Sequence, residues 1–182
     1  MIETDFTPFP EIKTQRLLLR KLENEDRQEM FFLRSDEKVL QYIGKEPIVS
    51  IEEAEEFIKR MNNLLLENEA IMWGITLMEN PGKVIGTICY WNFKKEHDRV
   101  ELGYTLHPAF WRRGIMKEAI EAVIEYGFLK MKFHSIEALI NPDNIASASV
   151  LESTSFVKEG HIKENFYFRG NFQDTGIYSR LR

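Results

Sequence analysis

A mixed α/β fold is predicted by three observations on this chain of 182 residues. Helical spacing dominates the early part, three alternating strands follow as a meander, and a strand–helix–strand–helix–strand order closes the chain. Elements in that order build a sheet covered by helices. The length suits one domain spanning residues 1–182. A hydrophobic content of 43% supplies a core and excludes a disordered chain.

Thr14 to Leu22 (TQRLLLRKL) reads as a strand after a proline-broken lead-in. Asn24 reads as a helix cap, with Met30, Phe31, Leu33, Val39 and Leu40 at helical spacing as far as Ile43. Gly44 and Pro47 end that segment. Ser50 and Glu53 form a capping-box pair for a helix through Ala54, Phe57, Ile58, Met61 and Leu65. Ile71 to Leu77 and Val84 to Phe93 read as a hairpin with its turn at Asn80-Pro81-Gly82. Val100 to Leu106 is the third strand of the meander, stopped by His107-Pro108. A helix from Gly114 to Lys130, a strand from Ser135 to Ile140 and a short helix from Asn144 to Ser153 follow. Strands near Phe166 to Phe168 and Thr175 to Leu181, parted by Gly170, finish the chain.

Several classes are excluded on composition. No apolar run reaches the roughly 18 residues of a membrane span, so no membrane partner is expected. Met1 to Glu11 lacks the basic-then-apolar order of a signal peptide, and the lone Cys89 fits a reducing compartment. A cytoplasmic location is therefore expected. The net charge of −5 argues against a nucleic-acid partner. His97, His107, His134 and His161 form no metal-ligand pattern, so no metal is expected. Cys89, Trp73, Tyr90, Trp91 and Phe93 read first as strand core, the aromatics alternatively as the lining of an acceptor cleft.

The most informative segment is Trp111-Arg112-Arg113-Gly114-Ile115-Met116-Lys117. A helix start carries unpaired amides and partial positive charge, and therefore favours acids. Here it holds Arg112, Arg113 and Lys117, with no acid before Glu118. A bound polyanion reverses the unfavourable sign of those charges, and Gly114 lets backbone approach it closely. A solvated basic helix end with a turn glycine fits the same residues equally well. Neither GxxxxGK[ST] nor GxGxxG is present, which weakens nucleotide-triphosphate and dinucleotide readings.

Arg112-Arg113-Gly114-Ile115-Met116-Lys117-Glu118-Ala119, following a strand that ends at a proline, resembles the coenzyme-A motif of the GNAT N-acetyltransferases. Met116 departs from the motif's last small position, but the Gly-Ile-Met-x-Glu-Ala run is similar to the ribosomal-protein-alanine (RimJ/RimL-like) branch. Thr14-Gln15-Arg16-Leu17-Leu18-Leu19-Arg20, Glu101-Leu102-Gly103-Tyr104, Asn144-x-x-Ser147 with Phe156, and Glu159-Gly160 with Asp174 are similar to further segments of that branch. Ser149, Ser153 and Ser155 stand where the branch commonly has basic residues and a turn glycine, which leaves the holder of the coenzyme's 3′-phosphate open and suggests an altered turn. The resemblance implies a GNAT-like twisted mixed sheet, flanked by helices. Its fourth and fifth strands splay into a V that admits the pantetheine arm.

The implied reaction is acetyl transfer from acetyl-CoA to a primary amine, with no metal. It needs a neutral amine, donors for an oxyanion and a proton for the departing sulfur. Glu101 is the base candidate; strand alternation puts Glu101, Gly103 and Thr105 on one face. An exposed strand glutamate or an arginine's partner is its equal alternative. Ser147 is the candidate proton donor to the sulfur, or only the third residue of a helix capped by Asn144. Asn144 is read as a coenzyme contact or as that cap. The resemblance implies the Leu106 amide as a donor to the thioester or oxyanion. The acceptor is expected to be a protein or peptide N-terminal α-amine, alternatively an amino acid, polyamine or aminoglycoside. A non-catalytic coenzyme-A-binding domain is the remaining alternative. Edge pairing of the last strand would support a homodimer.

Overall fold

The computed structural model describes residues 4–182; Met1, Ile2 and Glu3, which open the lead-in read above, lie outside the described residues. Eight strands form one sheet in the order β1-β2-β3-β4-β5-β6-β8-β7. They are β1 (Ile12–Lys13), β2 (Leu17–Lys21), β3 (Ile71–Leu77), β4 (Asn80–Lys94), β5 (Arg99–Leu106), β6 (Ser135–Ile140), β7 (Val157–Phe168) and β8 (Asn171–Leu181). Among the described residues five α-helices accompany them: α1 (Arg27–Ser35), α2 (Glu37–Leu40), α3 (Ile51–Leu66), α4 (Ile115–Leu129) and α5 (Ile145–Ser153). All neighbouring strands are antiparallel except β5 and β6.

Alternation along the strands divides the core into two layers. Ile71, Trp73, Ile75, Ile88, Tyr90, Val100 and Leu102 face α4, where they meet Ala119, Ile120, Val123 and Ile124. A second cluster on the opposite side joins Met30, Leu33, Phe57 and Ile58 of α1 and α3. Ser50 caps α3 as its sequence suggests, accepting from the Glu53 amide at 3.3 Å, while the Glu53 carboxylate takes the Val49 amide at 2.9 Å.

Three local expectations need correction. The helix expected from Asn24 to Ile43 is broken into a short 3-10 turn, α1 and α2. Asp36 causes the break, because its extended backbone ends α1 and its carboxylate accepts the Lys38 and Val39 amides at 3.0 Å. The β3–β4 turn sits at residues 78–79, ahead of Asn80-Pro81-Gly82. The chain instead loops out between Asn80 and Val84 as a bulge, where Pro81 needs no ladder donor. The closing strands are far longer than Phe166–Phe168 and Thr175–Leu181. They form a hairpin turning at Arg169-Gly170, both with positive φ.

The parallel register of β5 and β6 covers only Arg99↔Ser135, Val100↔Ile136 and Glu101↔Glu137. Beyond Glu101 the two strands part. β5 stays paired with β4 as far as Leu106, and β6 stays paired with β8 as far as Ile140. This is the expected V-shaped opening.

Candidate active site

The opening has a polar edge of backbone. His107 donates its amide to Ile85 O at 2.8 Å, which fixes the β4–β5 ladder phase. Odd-numbered β5 residues therefore bond to β4. The amides and carbonyls of Tyr104 and Leu106 point the other way, into the gap. The Leu106 carbonyl there accepts the Trp111 indole N–H at 2.7 Å.

Glu101 sits at the apex of the V with only 6% of its surface exposed. Burial pushes its carboxyl pKa upward; the Asn92 amide, donating at 3.2 Å, opposes this, and the neighbouring Glu137 adds to it. Glu137 titrates in the opposite direction. Burial opposes its ionisation too, but Lys94 at 2.7 Å and Arg99 at 2.8 Å outweigh that and hold it below the usual carboxylate range. Two carboxylates side by side are thus driven apart, one fixed as an anion and the other poised to take a proton. Glu101 is neither exposed nor an arginine's partner. Gly103 keeps this face low: a Cβ there would meet Cys89 Sγ at 3.1 Å.

On the other face of β5, the Tyr104 hydroxyl meets Ser147 Oγ at 2.7 Å. Tyr104 is a residue the sequence reading did not single out. Burial raises its pKa, while the bond to Ser147 pulls the other way. The Ser147 backbone amide donates to Asn144 Oδ1 at 3.0 Å, so Asn144 does cap α5. Capping uses the amide of Ser147 and leaves its hydroxyl for Tyr104. Ser147→Ala separates the two roles. Stability should fall by about 1 kcal/mol, from the Tyr104 hydroxyl losing its partner, whereas kcat should fall by about 10²-fold. An unchanged kcat would leave Ser147 with a capping position and no chemistry.

At the start of α4, Arg112 and Gly114 adopt φ of 60° and 70°. The first intrahelical bond is Glu118 N–H to Gly114 O at 3.1 Å, so the Ile115, Met116 and Lys117 amides have no helical partner. Glu118 is already committed. It accepts Thr14 Oγ1 at 2.6 Å, the Arg16 amide at 2.9 Å and Arg16 Nε at 2.6 Å, and Arg16 also donates to Arg113 O at 2.9 Å. The opening-strand motif thus braces the turn. Arg112 and Arg113 are exposed, and among the described residues neither has a carboxylate partner. Arg113 lies over the Phe110 ring at 5.5 Å. Cations, free amides and close backbone fit a pyrophosphate group here, and the gap lined by Leu106 and Tyr104 amides fits an amide-bearing arm.

The remaining residues sort themselves by burial. Trp73 and Tyr90 are fully buried core, while Trp91 is 46% exposed on the Glu101 face. Cys89 has its thiol pushed up to about 12, mainly by burial, and is inert as a nucleophile. His107 caps the turn after β5 by accepting the Ala109 amide at 3.1 Å, and stacks on Phe32 at 4.3 Å. Ser155 takes a φ of 64°, the conformation a glycine adopts without strain, so the turn keeps a left-handed shape with serine in it. No group of metal ligands occurs, and no helix is long and apolar enough to cross a membrane, among the described residues.

The segment between α2 and α3 reaches the tip of the β7–β8 hairpin. Gly44 lies so close to the Phe166 ring that a Cβ would overlap it, and Arg169 pairs with Glu46 at 2.6 Å.

The sheet thus parts at a parallel strand pair, and the helix that follows β5 opens with free amides and exposed arginines. Residues 16–157 match the Acetyltransferase (GNAT) domain family. The chain is 36% identical over 174 residues to the uncharacterized N-acetyltransferase YoaA of Bacillus subtilis, covering 96% of this chain and 98% of that protein. It is 25% identical to the spermidine N(1)-acetyltransferase of Vibrio cholerae, covering 88% and 90%. A crystal structure of a GNAT-family acetyltransferase from Bacillus anthracis superposes with a TM-score of 0.84 at 29% identity, covering 94% of this chain and 98% of that one. The chain belongs to the GNAT family and is an acetyl-CoA-dependent N-acetyltransferase.

Proposed function

We propose that this enzyme acetylates the N-terminal α-amine of a protein or peptide, with Glu101 as base and Ser147, paired with Tyr104, as proton source for the departing sulfur. The observation that carries the reading is the placement of these groups. Glu101 lies at the apex of the V on the α1 face, and the Tyr104–Ser147 pair lies on the α5 face. Acetyl-CoA supplies the activated acetyl group. Arg112, Arg113 and the amides of Ile115 and Met116 would hold its pyrophosphate, with Trp111 fixing the turn and Leu106 and Asn144 beside the arm. Glu101 accepts the amine's proton on one side of the sheet. The amine nitrogen bonds to the thioester carbonyl carbon. As the carbon–sulfur bond breaks, Ser147, held in place by the Tyr104 hydroxyl, hands its proton to sulfur on the other side. Ser147 then takes a proton back from water, while Glu101 returns its proton to water.

An α-amine, with a pKa of about 7.7–8.0, loses its proton at neutral pH for roughly 1 kcal/mol, against roughly 4–5 kcal/mol for a lysine near 10.4. A buried carboxyl with a modestly raised pKa is matched to the easier task. Small polyamines are the second reading, favoured by the spermidine-acetylating relative. The test is an acceptor panel read by release of free coenzyme A thiol. Peptides with free N-termini should exceed spermidine in kcat/KM by about tenfold or more, and a lysine peptide with a blocked N-terminus should be inert. Faster turnover of spermidine or of the blocked lysine peptide would overturn the reading.

A further inference from the structure

The Glu101 face of the sheet holds a second charged group that catalysis does not use. Arg34, on the last turn of α1, is half-buried. Its guanidinium lies 4.1 Å over the Phe57 ring, and Arg60 approaches the same ring at 5.3 Å. Neither arginine has an ion-pair or hydrogen-bond partner for its side chain among the described residues, and Arg34 Nε is buried without a partner. Desolvation, and then the like charge of Arg60, lowers the pKa of Arg34. A buried donor left unpaired costs about 1–3 kcal/mol. Arginine also presents a fork of donors suited to a carboxylate.

The position of this pair relates it to the amine site. Cys89 of β4 lies against Gly103 of β5, and its thiol feels both Glu101 and Arg34. Cys89, Gly103 and Thr105 are half-buried and form the floor of the sheet surface between the two charges. One end of that floor carries an anion-forming carboxyl and the other an unpaired cation. A molecule that is cationic at its amine and anionic nearby complements both ends. A polyamine places a second positive charge against Arg34.

We infer that Arg34, supported by Arg60, binds a carboxylate of the acceptor, so that the preferred substrates carry an acidic group close to the reacting amine. This rests on the proposed acetylation of N-terminal amines and narrows it to termini whose first residues include Asp or Glu, with free acidic amino acids as the limiting small case.

The test compares three peptides that differ only in their first two residues, acidic, neutral or basic, in wild type, Arg34→Gln and Arg34→Lys. Wild type should favour the acidic peptide by about tenfold or more in kcat/KM, mostly through KM. Arg34→Gln should lose that preference, with KM for the acidic peptide rising about tenfold. Arg34→Lys should retain part of it, and the Kd for acetyl-CoA should stay constant in all three proteins. The companion measurement is calorimetric titration of the acidic peptide into coenzyme-A-loaded protein. Acetylation without an acidic preference, or an equal loss for all three peptides in Arg34→Gln, would overturn the inference while leaving the N-terminal reading standing. Arg34-dependent binding of the acidic peptide with no acetyl transfer would keep the inference and overturn that reading. Neither binding nor transfer would overturn both.

Discussion

Glu101→Gln should lower kcat/KM by about 10²–10⁴-fold, the usual range for loss of a positioned general base, and leave the Kd for acetyl-CoA unchanged. The substituted amide keeps the shape of the side chain and can still accept from Asn92, so the loss isolates the proton-accepting oxygen. The pH dependence carries the sharper signature. Burial raises the Glu101 pKa in the folded protein. Wild-type activity should therefore decline as pH falls through that raised value, and the variant should lack this acidic limb. Stability follows the reverse course. Between the ordinary carboxylate pKa and the raised one, the folded state binds more protons than the unfolded state, so stability falls as pH rises through that window. The ionised Glu101 destabilises the fold at neutral pH, and Glu101→Gln should melt at or above the wild-type temperature. A pH–rate profile beside thermal melts at matched pH reads both. A variant that keeps the acidic limb would place the base elsewhere.

The double substitution Arg113→Glu, Gly114→Asp should weaken acetyl-CoA binding by at least about 100-fold, or about 2.8 kcal/mol at 1.4 kcal/mol per factor of ten. It converts a cation into an anion and puts a carboxylate where backbone must approach a pyrophosphate. The fold should survive. Acids at a helix start gain about 0.3–1 kcal/mol from the partial positive charge there, which offsets the roughly 1–2 kcal/mol of a side chain at φ of 70°. Arg16 keeps its bonds to Glu118 and to the Arg113 carbonyl, since neither uses the altered side chains. Calorimetric titration of the folded variant is the measurement. Undiminished binding would remove the coenzyme from the start of α4 and leave Arg112 and Arg113 as a solvated basic corner.

Much of this site could be read from the chain because it is local. The alternation that groups Glu101 with Gly103 is a property of five consecutive residues, and the face it defines is the one on which Gly103 meets Cys89. The basic helix start is likewise contiguous. Tyr104 stands in the sequence only as the end of the Glu101-Leu102-Gly103-Tyr104 run, because its partner Ser147 lies on a helix 43 residues away, and no local pattern writes that hydrogen bond. The same alternation places Tyr104 on the face opposite Glu101. Arg34 was hidden for a related reason: helical spacing reads as amphipathic whether or not a charge on its border finds a partner. The full length of the closing hairpin is not legible in the sequence because β7 is exposed along nearly all its length. A strand without a buried face leaves no alternation to detect, and only the aromatic run at its tip stood out. The break at Asp36 shows a side chain competing with the backbone for amides, which apolar spacing does not register.

The contact of Gly44 and Glu46 with Phe166 and Arg169 ties the segment between α2 and α3 to the tip of the β7–β8 hairpin. β8 and β7 are the last two strands of the sheet, and β7 is exposed along nearly all its length. The tie is therefore an anchor at the far end of an edge strand that buries little. It is a solvent-exposed ion pair beside an aromatic contact, and dissolved ions screen such a pair. Ionic strength thus sets how firmly the outer end of the sheet is moored.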